Sequence, residues 1–202
     1  MSSETVGASA GKVKYLIITA LVMALDQFTK YLVSTRMQLG DEIDVIRNFF
    51  AISYTQNPGI AFGMLNNGNL RWVFVVISVL AVLVVLGYMM RTSAANRLLL
   101  WSLALLAAGI CGNLIDRVRI GRVIDFFLVH YKEHQFPVFN VADTAISIGA
   151  ALMAIELFIT PQAERATAAA PDGEEAGGRR QEAEVGDAAP LASNPNDASS
   201  GD

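Results

Sequence analysis

Residues 98–117 read LLLWSLALLAAGICGNLIDR. From Leu98 to Ile115 the stretch is almost wholly apolar or small, and it ends abruptly on Asp116 and Arg117. A helix crossing a bilayer needs roughly 20 predominantly apolar residues, so residues 98–115 read as a membrane span with charges at its end. Three more runs of this kind lie to either side. They are residues 13–33 (VKYLIITALVMALDQFTKYLV), 70–90 (LRWVFVVISVLAVLVVLGYMM) and 141–160 (VADTAISIGAALMAIELFIT). Tyr15, Trp72 and Trp101 fall near run ends, where amphipathic rings favour the membrane interface. The first run could be mistaken for a signal peptide, but it is longer than a signal h-region. It also continues into DQFTKYLVSTR with no small-residue cleavage site, so it reads as a retained span.

The composition agrees. Hydrophobic residues make up 53% of the 202 residues and charged ones 17%, against about a quarter charged in ordinary soluble domains. One cysteine excludes an intrachain disulfide. Residues 161–202 carry a net charge of −6 and residues 1–160 a net of +2, within a whole-chain −4. The mildly basic spanning part offers no large single-sign patch for nucleic acid. A soluble enzyme, a nucleic-acid binder and a disulfide-stapled module are thereby excluded, and the fold expected is an all-α membrane protein. It has four transmembrane helices, with a small β-element and extramembrane loops on one face.

The connections are unequal. RTSAAN joins the second and third runs as a short turn, whereas the other two connections are long. An even number of spans puts both termini on one side with the short turn, and both long loops on the other. The first long loop holds IDVIRNFFAISY (43–54), rich in β-branched and aromatic residues, followed by the turn signal Asn57-Pro58-Gly59. A strand or hairpin on the membrane surface is expected there. VIDFFLVHY (123–131) in the other loop fits a strand or a short interfacial helix. Residues 1–12 form a polar N-terminal segment. Residues 161–202 are Ala, Gly, Pro, Ser and acid, too poor in large apolar side chains to offset ordering entropy, and are expected to be a disordered acidic tail.

Ionisable groups inside a membrane are expensive and default to functional candidates. Asp26 lies about 20 Å along the first run, and Lys30, four residues on, shares its helix face and can pair with it. Asn113, Asp116 and Arg117 end the third run, Asp125 follows in the loop, and Asn140 and Asp143 open the fourth. Taken singly each has a structural reading. Asp26 and Lys30 would be an interfacial ion pair, Asp116 and Arg117 ordinary interfacial charges, and Asn140 with Asp143 a helix cap. Taken together, span parity collects all of them, with Asn57, on one membrane face. Glu156 is the exception, on the other side, and carries no assigned role.

Two acids on that face, Asp125 and Asp143, are joined by a loop long enough to fold back. Carboxylates brought close in a partly dry site share a proton, so that one serves as general base and the other as general acid. This hydrolyses an amide with neither metal nor cofactor. His130 and His134 have i,i+4 spacing but no evident third ligand, and read as solvated loop histidines. Cys111 sits mid-span without a histidine and reads as apolar filler. The small residues Ala107, Ala108, Gly109 and Gly112 read as helix-packing positions.

In order along residues 13–160, DQFTK (26–30), QNPGIAFG (56–63), GNLIDR (112–117), GRVIDF (121–126) and FNVADT (139–144) resemble lipoprotein signal peptidase, or signal peptidase II. The resemblance implies a bacterial inner-membrane aspartic endopeptidase that cuts prolipoproteins just before a diacylglyceryl-cysteine and is blocked by globomycin. It implies catalytic roles for Asp125 and Asp143, and substrate-binding or site-supporting roles for Asp26, Lys30, Asn57, Asn113, Arg117 and Asn140. It also implies cytoplasmic termini and an outward-facing site. Counting Lys and Arg alone would put the long loops inside, because Arg36, Arg47, Arg71, Arg117, Arg119, Arg122 and Lys132 all lie on their side. The partners expected are lipid-modified prolipoproteins and membrane lipids, with no nucleic acid, and the protein is expected to act as a monomer. The alternative is a small ion- or proton-coupled transporter using Asp26 and Asp143. It is disfavoured because transport needs polar groups reaching the midplane from both sides.

Overall fold

The computed structural model describes residues 3–59, 69–131 and 134–160. The expected acidic tail and residues 60–63 of QNPGIAFG lie outside the described residues. Four helices are long and apolar enough to cross a membrane. Helix α1 (Ser3–Arg36) contains the first span, and α2 (Asn69–Arg91), α3 (Arg97–Arg119) and α4 (Val141–Ile159) are the others. The helices match the expected runs to within a few residues, except that α1 begins at Ser3, inside the segment read as a polar N-terminal extension.

Helix α3 is the most enclosed of the four and packs against each of the others. Lipid offers helices no hydrophobic drive to associate, so close approach of small residues has to supply the contact. Gly109 and Gly149 do so between α3 and α4. A Cβ on Gly109 would stand 2.3 Å from the Ala142 carbonyl oxygen, and one on Gly149 would stand 2.9 Å from that of Ser102. Gly112 performs the same service for α1, where a Cβ would fall 2.5 Å from an Asp26 carboxylate oxygen. At the other end of α3, Leu99, Leu100, Leu103 and Ala104 close over Tyr15 and Met89. Tyr15 lies inside this cluster rather than on the outer surface of the bundle. Its ring is buried and meets Trp101 edge-on at 6.0 Å, because α1 turns that residue toward α3, while Trp72 and Trp101 stay exposed.

Both long loops fold into one sheet. Strand β1 (Glu42–Ile46) pairs antiparallel with β2 (Phe50–Asn57), and β2 with β3 (Val123–Tyr131), while the short β4 (His134–Gln135) pairs with β3. The segment 123–131, open between strand and helix on its sequence, is thus a strand. Gly121, at φ 77°, turns the chain from α3 into β3, a backbone region that side-chain-bearing residues rarely adopt. Val33 of α1 and Met37 just beyond its end meet Tyr54, Ile124 and Phe126 in a second apolar cluster, which fixes the sheet over that end of the bundle.

Candidate active site

The capping of α4 builds the centre of the site. Asn140 is its N-cap, with the Asn140 side-chain oxygen accepting from the Asp143 amide at 2.8 Å. The Asp143 carboxylate in turn accepts from the Asn140 amide at 3.2 Å. The cap and the cluster, weighed separately on the sequence, are one structure. With its oxygen committed to the cap, the Asn140 side-chain nitrogen turns to β3. It donates to Asp125 Oδ1 at 2.7 Å and lies 3.2 Å from both the Ile124 carbonyl and Asn113 Oδ1. Asn113 Nδ2 donates to Asp143 Oδ1 at 2.7 Å. Two asparagines thus bridge the two aspartates, and Asn140 and Asp125 are both buried.

Asp125 feels both its burial and its neighbour. Removal from water, and next the charge of Asp143, push its carboxyl up to about 6, against the opposing pull of hydrogen bonds from Asn57 and Asn140 and of the Lys30 charge. The Asn57 side chain, at the end of β2, bonds Asp125 and also accepts from the Gly59 amide at 2.8 Å, holding the Asn-Pro-Gly turn against the site.

Below this pair lies a buried ionic cluster. Lys30 Nζ stands 2.9 Å from Asp26 Oδ2, 2.8 Å from Asp116 Oδ2 and 2.9 Å from Asn113 Oδ1. Asp26 Oδ1 accepts from the Ala142 amide at 2.9 Å, in the first turn of α4, where the helix dipole favours an anion. Asp116 accepts from the Ile124 amide at 3.2 Å. One cation held by two acids and an amide oxygen thus ties α1 to α3, and each acid reaches on to an element bearing a candidate catalytic aspartate. Arg117 stacks over the Phe74 ring at 5.8 Å and lies in electrostatic reach of Asp143, Asp116 and Asp125.

All the residues singled out as site candidates (Asp26, Lys30, Asn57, Asn113, Arg117, Asn140, Asp125 and Asp143) therefore meet at one end of the bundle. Two contributors carried no assigned role on the sequence, Asp116, which was placed on this face, and Gln27, which was not singled out. Asp116 is no ordinary interfacial charge but a buried partner of Lys30, because α3 directs it inward beneath the sheet. Gln27 Nε2 lies 3.0 Å from the Gly112 carbonyl and 3.1 Å from Asp116 Oδ1. The spacing Gly112–Asp116, one turn of one helix face, could have identified Asp116; nothing in the pattern singles out Gln27. Glu156, at the far side, is buried and accepts from the Asn96 side chain at 3.0 Å, the cap of α3.

The family model described as Signal peptidase (SPase) II matches residues 18–159. A lipoprotein signal peptidase of Symbiobacterium thermophilum is 42% identical over 144 residues, covering 71% of this chain and 93% of the relative. One of Syntrophus aciditrophicus is 40% identical over 146 residues, covering 71% and 91%. A bacterial membrane enzyme solved by the in meso method at 1.9 Å superposes with a TM-score of 0.67 at 32% identity, over 73% of this chain and 94% of that one. The chain belongs to the signal peptidase II family.

Proposed function

We propose that this protein is an aspartic endopeptidase that removes the signal peptide of prolipoproteins N-terminal to the diacylglyceryl-cysteine, with Asp125 and Asp143 as the catalytic pair. The observation that carries the reading is the asparagine bridge: Asn140 bonds Asp125 at 2.7 Å while sharing a reciprocal cap with Asp143. Asp125, dry and beside another carboxylate, holds a proton to about pH 6. Asp143, whose oxygens accept from Asn113 and from the Asn140 amide, takes the proton of the attacking water. Water adds to the scissile carbonyl as Asp125 gives its proton to the carbonyl oxygen. The tetrahedral adduct then collapses as Asp143 passes its acquired proton to the leaving amine of the cysteine and Asp125 takes back a hydroxyl proton from the adduct, which restores the pair. Asn57 and Asn140 orient Asp125, and Lys30, through Asn113, orients Asp143.

The membrane setting suits the substrate. Its acyl chains stay in the bilayer while the scissile bond reaches the sheet-covered end of the bundle. A soluble protease would have to extract those chains, at about 0.8 kcal/mol per CH₂. We place the protein in the bacterial inner membrane as a monomer, termini cytoplasmic and the site facing outward. The test is incubation of the purified protein with a lipidated pro-substrate, followed by mass analysis of the products. A single cut before the lipidated cysteine, persisting in chelator and blocked by globomycin, is expected. Ion flux in liposomes without any cleavage would favour the transporter instead.

A further inference from the structure

The sheet carries a second constellation, remote in sequence and independent of the peptidase reading. One ligand-capable atom from each of Glu42, Asp44 and His130 lies within 4.8 Å of the other two. His130 read as a solvated histidine because no third ligand was in sight along its own segment. The partners come instead from β1, across the intervening strand. The β2 residues in register with Glu42 and Asp44 are Ser53 and Ala51, and both are too small to separate side chains reaching over them from β1 and β3. The imidazole is held mostly out of solvent, and its Nε2 has no hydrogen-bond partner among the described residues. It lies 3.9 Å from Asp44 Oδ1, too far to be a hydrogen bond. Two atoms bound to one tetrahedral zinc stand roughly 3.3 Å apart, given metal–ligand bonds of about 2.0–2.2 Å. Both carboxylates are exposed and therefore free to close the difference.

We propose that Glu42, Asp44 and His130 form a binding site for a divalent zinc ion. One imidazole nitrogen and two carboxylates are a donor set suited to Zn²⁺, with water completing a tetrahedron. The ion would touch no reacting group. It would clamp β1 to β3, the strand that bears Asp125, and so brace the sheet over the site. Binding to the folded state alone raises thermal stability with metal concentration.

The experiment is titration of the purified, chelator-stripped full-length protein in detergent with zinc alone, read by calorimetry and by thermal midpoint. Saturable one-to-one binding with a rise in midpoint is expected. His130→Ala and Asp44→Asn should each weaken binding at least about tenfold, since even outer-shell losses cost that much at metal sites. His134→Ala, altering the exposed histidine of β4, should bind like the parent. Glu42→Gln, an exposed near-isosteric change, serves the same purpose should His130→Ala fail to fold. Absence of saturable binding, or unchanged affinity in the ligand variants, would overturn the proposal.

Discussion

At the scale of single residues, two side chains decide the chemistry of the site and one decides its cohesion. Asp125 sits at about 6, against an ordinary value near 3.8, first through burial and then through Asp143. A folded value above the unfolded one means that the stability contribution is complete below about 3.8 and is lost as pH rises through about 6. Asp125→Asn, which cannot ionise, should therefore gain thermal stability relative to the parent as pH is raised from about 3 to about 7, by up to about 3 kcal/mol. Parallel pH profiles of thermal midpoint in the two proteins would contradict the assignment. Lys30 pairs with Asp26 and Asp116 at once, and all three are buried. Removing one partner of a buried ionic group leaves uncompensated charge and costs about 3–5 kcal/mol. Lys30→Met should lower stability by at least that order in detergent denaturation, and a midpoint like the parent's would show the cluster to be slack. Lys30 and Asp26 were legible from their i,i+4 spacing inside an apolar run. Asp116 was legible only as one of the polar residues collected on that face; its burial against Lys30 was not, because a charge at a helix end looks interfacial until the sheet is seen to cover it.

At the scale of elements, the close approach of α3 and α4 sets where Asp143 stands. The Cβ of an alanine at Gly109 would meet the Ala142 backbone oxygen at 2.3 Å, so α4 would have to move at the turn that carries Asp143. Gly87 of α2 has open space around its missing Cβ. Gly109→Ala should lower both thermal stability and cleavage rate. Gly87→Ala should be neutral or stabilising by up to about 1 kcal/mol, the ordinary gain of alanine over glycine in a helix. Equal behaviour of the two variants, in thermal midpoint and in rate, would remove the seam from the account. The helices were legible because bilayer thickness imposes a length on them. The β3 strand was ambiguous for a specific reason: Val123, Ile124, Asp125 and Phe126 are all buried in succession, so the period-two alternation that marks a half-exposed strand is missing. The hairpin of β1 and β2 was easier, since its residues combine β-branched and aromatic types with a turn signal.

At the scale of the whole molecule, the parity of four spans was enough to anticipate that dispersed polar residues would converge on one end, and they do. Which way that end faces was not legible, because the basic residues crowd the loop side. The zinc ligands were not legible either, since a triad drawn from residues 42, 44 and 130 exists only once β1, β2 and β3 are in register. Residues 162–202 lie beyond the stretch that matches the family, which ends at residue 159, and their deletion should leave cleavage of a lipidated substrate unchanged, as measured by initial rate. The proposed chemistry turns on two carboxylates sharing a proton. Its most direct test is the cleavage rate of purified Asp125→Asn and Asp143→Asn, each compared with the parent for expression, membrane insertion and thermal midpoint. Loss of cleavage in both, with insertion intact, is the expected result; a parent-like rate in either would contradict the shared-proton pair.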